Sequence, residues 1–335
     1  MLKVLFVHGQ PRDQMLPFVE QDLDLLQMTC EVEVFSLAPF QRKFIDPLIS
    51  QAVRRAVARN DLIFGWFGQC SPIVIIAKLY HKPVVLVGGG IDVVKIPEIG
   101  YGLVTHKALM TTLLGFRLAD RVLLFSDSSR ESLQSYLGMR SANLQTLYLG
   151  IDTDFFVPKG PKQPQVFTAA RITRDNLRRK GLQTYIDAAR LVPDIPYRLA
   201  GRPVDQDVVD EIEMHTSSNL DYLGYIDRAQ LLAEYQQACV YAQLSMHEGF
   251  GMAMAEAMSC GCVPVVTNKG AIPEVVGDTG LYVPLEDPQA ASEAIRKIVE
   301  SADDVAGQRA RQRIVDRFRL SRRKDELQAI LESLF

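Results

Sequence analysis

The sequence predicts an α/β chain of two doubly wound domains, each a parallel sheet with helices on both faces. Three observations carry this. The chain has 335 residues, and at roughly 100–200 residues per domain two domains is the natural division. Short apolar runs alternate with amphipathic ones, which implies strand–helix repeats and a parallel sheet. The alternation stops near Gly150, crosses a turn-rich stretch with Pro158, Gly160, Pro161 and Pro164, and begins again. The expected boundaries are 1–150 and 151–318, with a terminal segment, 319–335.

In the first half, Leu2–Val7, Val32–Ser36, Leu62–Phe67, Pro83–Val87 and Val122–Phe125 have strand character: short, apolar and bounded by Gly, Asp or Pro. Between two of them, Ile45, Leu48, Ile49, Ala52, Val53, Ala56 and Val57 fall on one face of a helix. Arg54, Arg55 and Arg59 take the other face, which suits solvent or a membrane surface. In the second half the strand candidates are Val166–Ala169, Tyr197–Ala200, Leu220–Leu223, Val240–Gln243, Val263–Thr267 and Leu281–Val283. The end of the chain is helical. Leu327, Ile330, Leu331 and Leu334 recur at helical spacing and need a partner surface, which we expect on the first domain.

The bulk properties exclude several classes. A net charge of −3 argues against a dedicated nucleic-acid binder. The five cysteines are odd in number and none pairs at zinc spacing, so they read as free thiols in a reducing cytoplasm. Met1–Val7 is too short for the apolar core of a signal peptide. No run approaches ~18 apolar residues, the length of a membrane-spanning helix. The expected location is cytoplasmic, with the inner face of the membrane as an open alternative. No metal site is expected, because no carboxylate–histidine cluster is present.

The richest segment runs from Ser245 to Pro284. Gly249 and Gly251 flank Phe250 after a strand and before a helix. Small residues there let backbone amides approach a ligand, and a helix N-terminus favours phosphate. Glu248 precedes the glycines and Glu256 follows eight residues later. Carboxylates suit sugar hydroxyls because each accepts several hydrogen bonds. An ordinary helix with two surface glutamates has the same spacing.

This segment resembles the retaining glycosyltransferases of family four, which have the GT-B fold. Their E-x7-E motif corresponds to Glu248–Glu256, within S-x-x-E-G-F-G and followed by A-x-x-x-G-x-P-V-V at Ala257–Val266. Ile272–Glu274 and Thr279–Leu281 also match. Upstream, Arg171 and Lys180–Gly181 fit the family's two cationic positions. Two cations aimed at a departing diphosphate would act most strongly in the transition state; a solvated basic loop containing Arg174, Arg178 and Arg179 is the alternative. Leu147–Pro158 resembles the interdomain signature, and Leu199–Pro203 and Tyr222–Ile226 two nucleotide-pocket loops. Arg117–Ser126 resembles the last strand region of the first domain.

The resemblance implies two Rossmann-like domains facing across a cleft, and a nucleotide diphosphate sugar as donor, without a separate cofactor. It assigns Arg171 and Lys180 to the diphosphate. Glu248 and the amides of Gly249, Phe250, Gly251 and Met252 go to the sugar, and Glu256 to the ribose. Gly201, Gly224 and Tyr225 go to the nucleotide. His247 is a candidate lining residue. The acceptor is a small molecule, a glycan or a lipid-linked sugar. The first hundred residues match the family in architecture more than in motif. Gly9 alone stands where many members have a glycine-rich loop, and neither Phe64–Gln69 nor Val87–Glu98 supplies the family's histidine. There Gly88–Gly90 and Asp92 are candidates for the acceptor, or for a plain exposed turn. The rivals are a sugar-nucleotide epimerase, a phosphorylase, and an inactive nucleotide-sugar-binding subunit.

Overall fold

The structure is a computed structural model that describes every residue except 12–14, 41–49, 136–137, 139–141 and 302–303. Ile45, Leu48 and Ile49 lie outside the described residues. The chain divides into two compact units: Met1–Tyr148 together with Lys324–Phe335, and Leu149–Arg323. The divisions differ from the expected 150/151 and 318/319 for a local reason. Ile151 donates its amide to Phe318 at 2.7 Å and accepts from that of Leu320 at 2.8 Å, so the start of the last helix stays with the second unit.

The first unit contains strands β1 (Lys3–His8), β2 (Glu31–Ser36), β3 (Leu62–Trp66), β4 (Val84–Gly88), β7 (Arg121–Leu124) and β8 (Leu144–Thr146). They form one sheet in the order β2-β1-β3-β4-β7-β8, parallel throughout. β5 (Lys95–Ile96) and β6 (Tyr101–Gly102) make a small antiparallel pair. The helices are α1 (Pro17–Gln27), α2 (Gln51–Arg59), α3 (Ser71–Leu79), α4 (His106–Leu118) and α5 (Asp127–Ser135). Strands covered on both faces read as continuous apolar runs, and every residue of β3 and β4 is buried. On α2, Ser50 caps the first turn and Val53, Ala56 and Val57 face the core. Arg54 and Arg55 are exposed, and Arg59 pairs with Glu33. Leu327, Ile330 and Leu331 of the terminal segment are buried.

The second unit contains β9 (Gln163–Ala169), β10 (Tyr197–Ala200), β11 (Leu220–Tyr222), β12 (Ala238–Gln243), β13 (Val263–Thr267) and β14 (Leu281–Val283). Its helices are α6 (Arg174–Arg179), α7 (Leu182–Leu191), α8 (Gln206–His215), α9 (Arg228–Gln237), α10 (Met252–Ser259), α11 (Ile272–Val276), α12 (Pro288–Ser301) and α13 (Asp304–Phe318); α14 (Leu320–Glu332) runs on into the terminal segment. The sheet order is β11-β10-β9-β12-β13-β14, again all parallel. Chain order reverses between β9 and β12. Open α/β sheets bind ligands at the carboxyl ends of the strands beside such a reversal.

Two glycines in the loops after β10 and β11 meet there, with the amide of Gly201 donating to the carbonyl of Gly224 at 2.8 Å. They are glycines for different reasons. A Cβ on Gly201 would sit 1.8 Å from the carbonyl oxygen of Ala170, whereas Gly224 has open space but a φ of +66°. Gly224→Ala should cost about 1–2 kcal/mol, the left-handed penalty alone. Gly201→Ala should cost about 3 kcal/mol, at the upper end of overpacking, because a backbone atom cannot yield. Urea unfolding of both variants checks this, and equal losses would contradict it.

Candidate functional site

The loops following β9 and β12 carry the second unit's site residues. Their close approach depends on glycine. Gly181, at φ +68°, leaves no room for a Cβ, which would lie 2.1 Å from the carbonyl oxygen of Leu244. The amide of Met246 donates to the carbonyl of Arg179 at 2.8 Å. This brings Lys180 to Glu248 across 68 residues of sequence. The Lys180 ammonium donates to Glu248 Oε1 at 2.6 Å and Oε2 at 2.8 Å.

Glu248 is buried and further anchored. Ser245 Oγ donates to Oε1 at 2.7 Å, and Gln243 Nε2 donates to it at 3.0 Å. Burial pushes the carboxyl up, but the charge and hydrogen bonds of Lys180, the nearby Arg179 and the Ser245 hydroxyl outweigh it. Glu248 is therefore held below the ordinary carboxylate range. Gln243 and Ser245 were missed as site residues; the only sequence signal was their polarity at the end of an apolar strand. His247 is also buried, and burial lowers its imidazole pKa despite the opposing pull of Glu248.

Arg171 stands in contrast. Asn176 Nδ2 donates to its carbonyl at 2.7 Å and fixes the loop, while the residue itself is exposed. Its guanidinium has no ion-pair partner among the described residues. The neighbouring cations are engaged: Arg174 with Asp207 and Glu211, Arg178 with Glu286. Arg179 donates to Asn176.

Gly251 caps α10 at φ +93°, which puts Glu256 in the second turn. Glu256 is half-buried and accepts from the Tyr235 hydroxyl at 3.2 Å. Burial pushes its carboxyl up to about 7, against the pull of that hydroxyl and of Arg228. The two motif carboxylates thus have separate partners and opposite shifts. The Phe250 ring is buried edge-on against Phe318, with centroids 5.5 Å apart, so what Phe250 can offer a ligand is its backbone. Gly249 and Met252 are half-buried beside it. Tyr225 is 68% exposed, with the Arg202 guanidinium 5.8 Å from its ring centroid.

In the first unit Asp92 departs from the exposed-turn reading. It is buried, and its two oxygens accept from the amides of Gly89 at 2.8 Å and Gly68 at 2.9 Å. It is no exposed turn residue, and these two bonds pin the loop after β4 to the loop after β3. Burial pushes its carboxyl up to about 7, with those amides pulling the other way. Phe67, just before Gly68, sits at φ +69°, a strained conformation for a bulky residue. The sheet's own reversal lies between β1 and β3. There Gly9 leaves room for the exposed Gln69, whose side chain would meet a Gly9 Cβ at 2.1 Å. A cavity of about 490 Å³, lined by Lys162, Gln163, Cys239 and Val263 among others, opens where β9, β12 and β13 begin; it contains none of the candidate residues.

Residues 152–315 match the family model for glycosyl transferases group 1. The chain is 29% identical over 191 residues to the O-antigen chain mannosyltransferase B of Escherichia coli, covering 52% of this chain and 50% of that protein. It therefore spans about half the length of that relative. It is 25% identical over 281 residues to a GDP-mannose-dependent α-(1-6)-phosphatidylinositol monomannoside mannosyltransferase of Mycolicibacterium smegmatis, covering 75% and 70%. Among solved structures, Anabaena HepE in complex with UDP superposes with a TM-score of 0.83 at 19% identity, covering 99% of this chain and all of that one. The fold is GT-B.

The ion pair ties Lys180 to the stability of the second unit. Lys180→Ala should cost about 3 kcal/mol, because it strands a buried carboxylate. Arg171→Ala should stay within about 0.5 kcal/mol. Because the Glu248 pKa is depressed on folding, the pair's contribution is present above the unfolded carboxyl pKa. It fades as pH falls through the folded one. Denaturant curves at neutral and acid pH check both points; similar curves for the two variants would contradict them.

Proposed function

We propose, from the premise that this chain belongs through residues 152–315 to the glycosyl transferases group 1 family, that it transfers a sugar from a nucleotide diphosphate donor to an acceptor hydroxyl with retention of configuration and without a metal. The observation that carries the reading is the Lys180–Glu248 pair with the free Arg171 guanidinium at the β9/β12 reversal. Arg171 and Lys180 bind the diphosphate and stabilise the charge that grows on it as the bond to the sugar breaks. Glu248, with the backbone of Gly249–Met252, holds the sugar. Glu256 accepts from the ribose hydroxyls once ionised, and Gly201, Gly224 and Tyr225 border the nucleotide. The acceptor oxygen bonds to the anomeric carbon on the face the diphosphate leaves, and its proton passes to a leaving phosphate oxygen. Protein HepE in its UDP complex and the GDP-mannose-dependent relative support a nucleotide donor. The latter, acting on a phosphatidylinositol mannoside, supports a glycan or lipid-linked acceptor. The first unit supplies the acceptor contacts, with Asp92 and the Gly88–Gly90 turn as the candidates.

The test is turnover of a panel of nucleotide diphosphate sugars, each with and without acceptors, in excess chelator. The expected result is a transferred sugar whose anomeric configuration matches the donor's by proton NMR. Arg171→Ala should lower turnover by roughly 10²–10³-fold, the loss typical of one preorganised charge donor. A sugar altered in the absence of acceptor would point to an epimerase. Metal-dependent transfer, or an Arg171→Ala variant with wild-type turnover, would overturn the charge assignment.

A further inference from the structure

The cavity of about 490 Å³ lies where β9, β12 and β13 begin, the end of the sheet opposite the site loops. Its volume falls within the roughly 300–1,000 Å³ of ordinary small-molecule sites. Two glycines set one wall. A Cβ on Gly307 would sit 2.4 Å from the carbonyl oxygen of Gly261, so α13 approaches this closely only as glycine. One turn further along α13, Arg311 lies on the same face and borders the cavity. Lys162, just before β9, borders it as well. Ile298 and Val299 of α12 and Cys239 of β12 complete the wall, and the core covers them only in part.

The charge of this lining has one sign. Lys162 and Arg311 are half-buried, and neither has an ion-pair partner among the described residues. The described lining residues include no Asp or Glu. Both cations hold helix ends. Lys162 Nζ donates to the carbonyl of Tyr235 in the last turn of α9 at 2.7 Å. Arg311 Nη1 donates to the carbonyl of Ser259, where α10 ends, at 2.6 Å, and to that of Phe156 at 2.9 Å. Cations suit helix C-termini, but the partial charge there offsets only part of a full one. Donors are also left over. An ammonium has three N–H groups and a guanidinium five. Besides the carbonyl, Lys162 meets the Cys262 sulfur at 3.6 Å. The Nε of Arg311 donates to no described residue.

We propose that this cavity binds a small organic anion. Lys162 and Arg311 hold its phosphate or carboxylate group, and its apolar part lies against Val263, Ile298 and Val299. Charge complementarity selects an anion, and the apolar wall favours one with a hydrocarbon body over a bare inorganic ion. The cavity is coupled to the candidate donor site through two helices. Tyr235, whose carbonyl Lys162 holds, donates its hydroxyl to Glu256 at 3.2 Å. Arg311 holds the end of the helix that carries Glu256. An anion that takes up the donors of Lys162 and Arg311 loosens both holds, so nucleotide affinity falls. Only this coupling rests on the proposed ribose contact of Glu256; the anion site stands without it.

NMR of methyl-labelled protein tests the site, with n-butyl phosphate and pentanoate as probes and n-butanol and inorganic phosphate as controls. The Val263, Ile298 and Val299 methyls should shift saturably with an organic anion, and the two probes distinguish the head groups. Butanol should leave them unchanged, and inorganic phosphate should bind at least tenfold more weakly. Lys162→Met should weaken binding at least tenfold. So should Ile298→Glu, read at Val263, which sets a carboxylate at a half-buried position of the cavity and leaves the helix-end contacts in place. Arg171→Ala, outside the cavity, should bind like wild type, which separates the site from the diphosphate loops. Unshifted methyls with both anions would overturn the proposal, as would wild-type binding by a folded Ile298→Glu variant. Saturating anion should also weaken UDP or GDP binding about fivefold, the low end of allosteric coupling, and should do so no longer in Ile298→Glu. Unchanged nucleotide affinity would overturn the coupling where Glu256→Gln itself weakens nucleotide binding. A Glu256→Gln variant with full nucleotide affinity would instead fault the ribose contact.

Discussion

The second unit's site depends on one buried charge. Glu248 sits in the loop after β12 with little access to water, and an unpaired carboxylate there would be strongly disfavoured. Lys180 meets both of its oxygens, and Ser245 and Gln243 satisfy Oε1 again. Much of the local backbone serves this contact. Gly181 is needed so that the Lys180 loop can lie on Leu244. The amide of Ala271 donates to the carbonyl of Glu248 at 2.9 Å, and Thr267 Oγ1 donates to that of Ser245. The arrangement also separates two cations by role. Lys180 is neutralised before any ligand arrives, whereas Arg171 stays exposed on a loop that Asn176 fixes. Among the described residues, the Arg171 guanidinium has no ion-pair partner, whereas the Lys180 ammonium is shared with a carboxylate.

The first unit solves a parallel problem with a different outcome. Asp92 is also a buried carboxylate, but its partners are backbone amides and no cation. The balance leaves it raised to about 7, whereas Glu248 is held low. Glu256, whose closest partner is a neutral hydroxyl, behaves like Asp92. The difference follows from the partner's charge: hydrogen bonds offset burial in part, and a full positive charge at contact distance reverses it.

These contrasts also mark what the sequence makes legible. Apolar runs and helical periodicity located most of the strands to within a few residues, because a buried parallel strand must be apolar along its length. β8 escaped because Leu144–Thr146 is short and carries a polar residue at its centre. The E-x7-E spacing placed Glu256 inside a helix that Gly251 opens, since both facts are local. The partners were not local. Lys180 reaches Glu248 across 68 residues, and Tyr235 reaches Glu256 from the helix before β12. The burial of Asp92 was not legible because its partners, the amides of Gly68 and Gly89, leave no side-chain signature.

The Lys180–Glu248 contact can be measured directly by following the Glu248 carboxyl carbon by NMR as pH is lowered, in the wild-type chain and in Lys180→Met. The account predicts that Glu248 stays ionised below the ordinary carboxylate range in the wild type. In the variant it should rise above that range, because burial then acts against neutral donors and the more distant Arg179 alone. The same titration in both proteins, or a wild-type carboxyl already raised, would contradict the ion pair as the centre of this site.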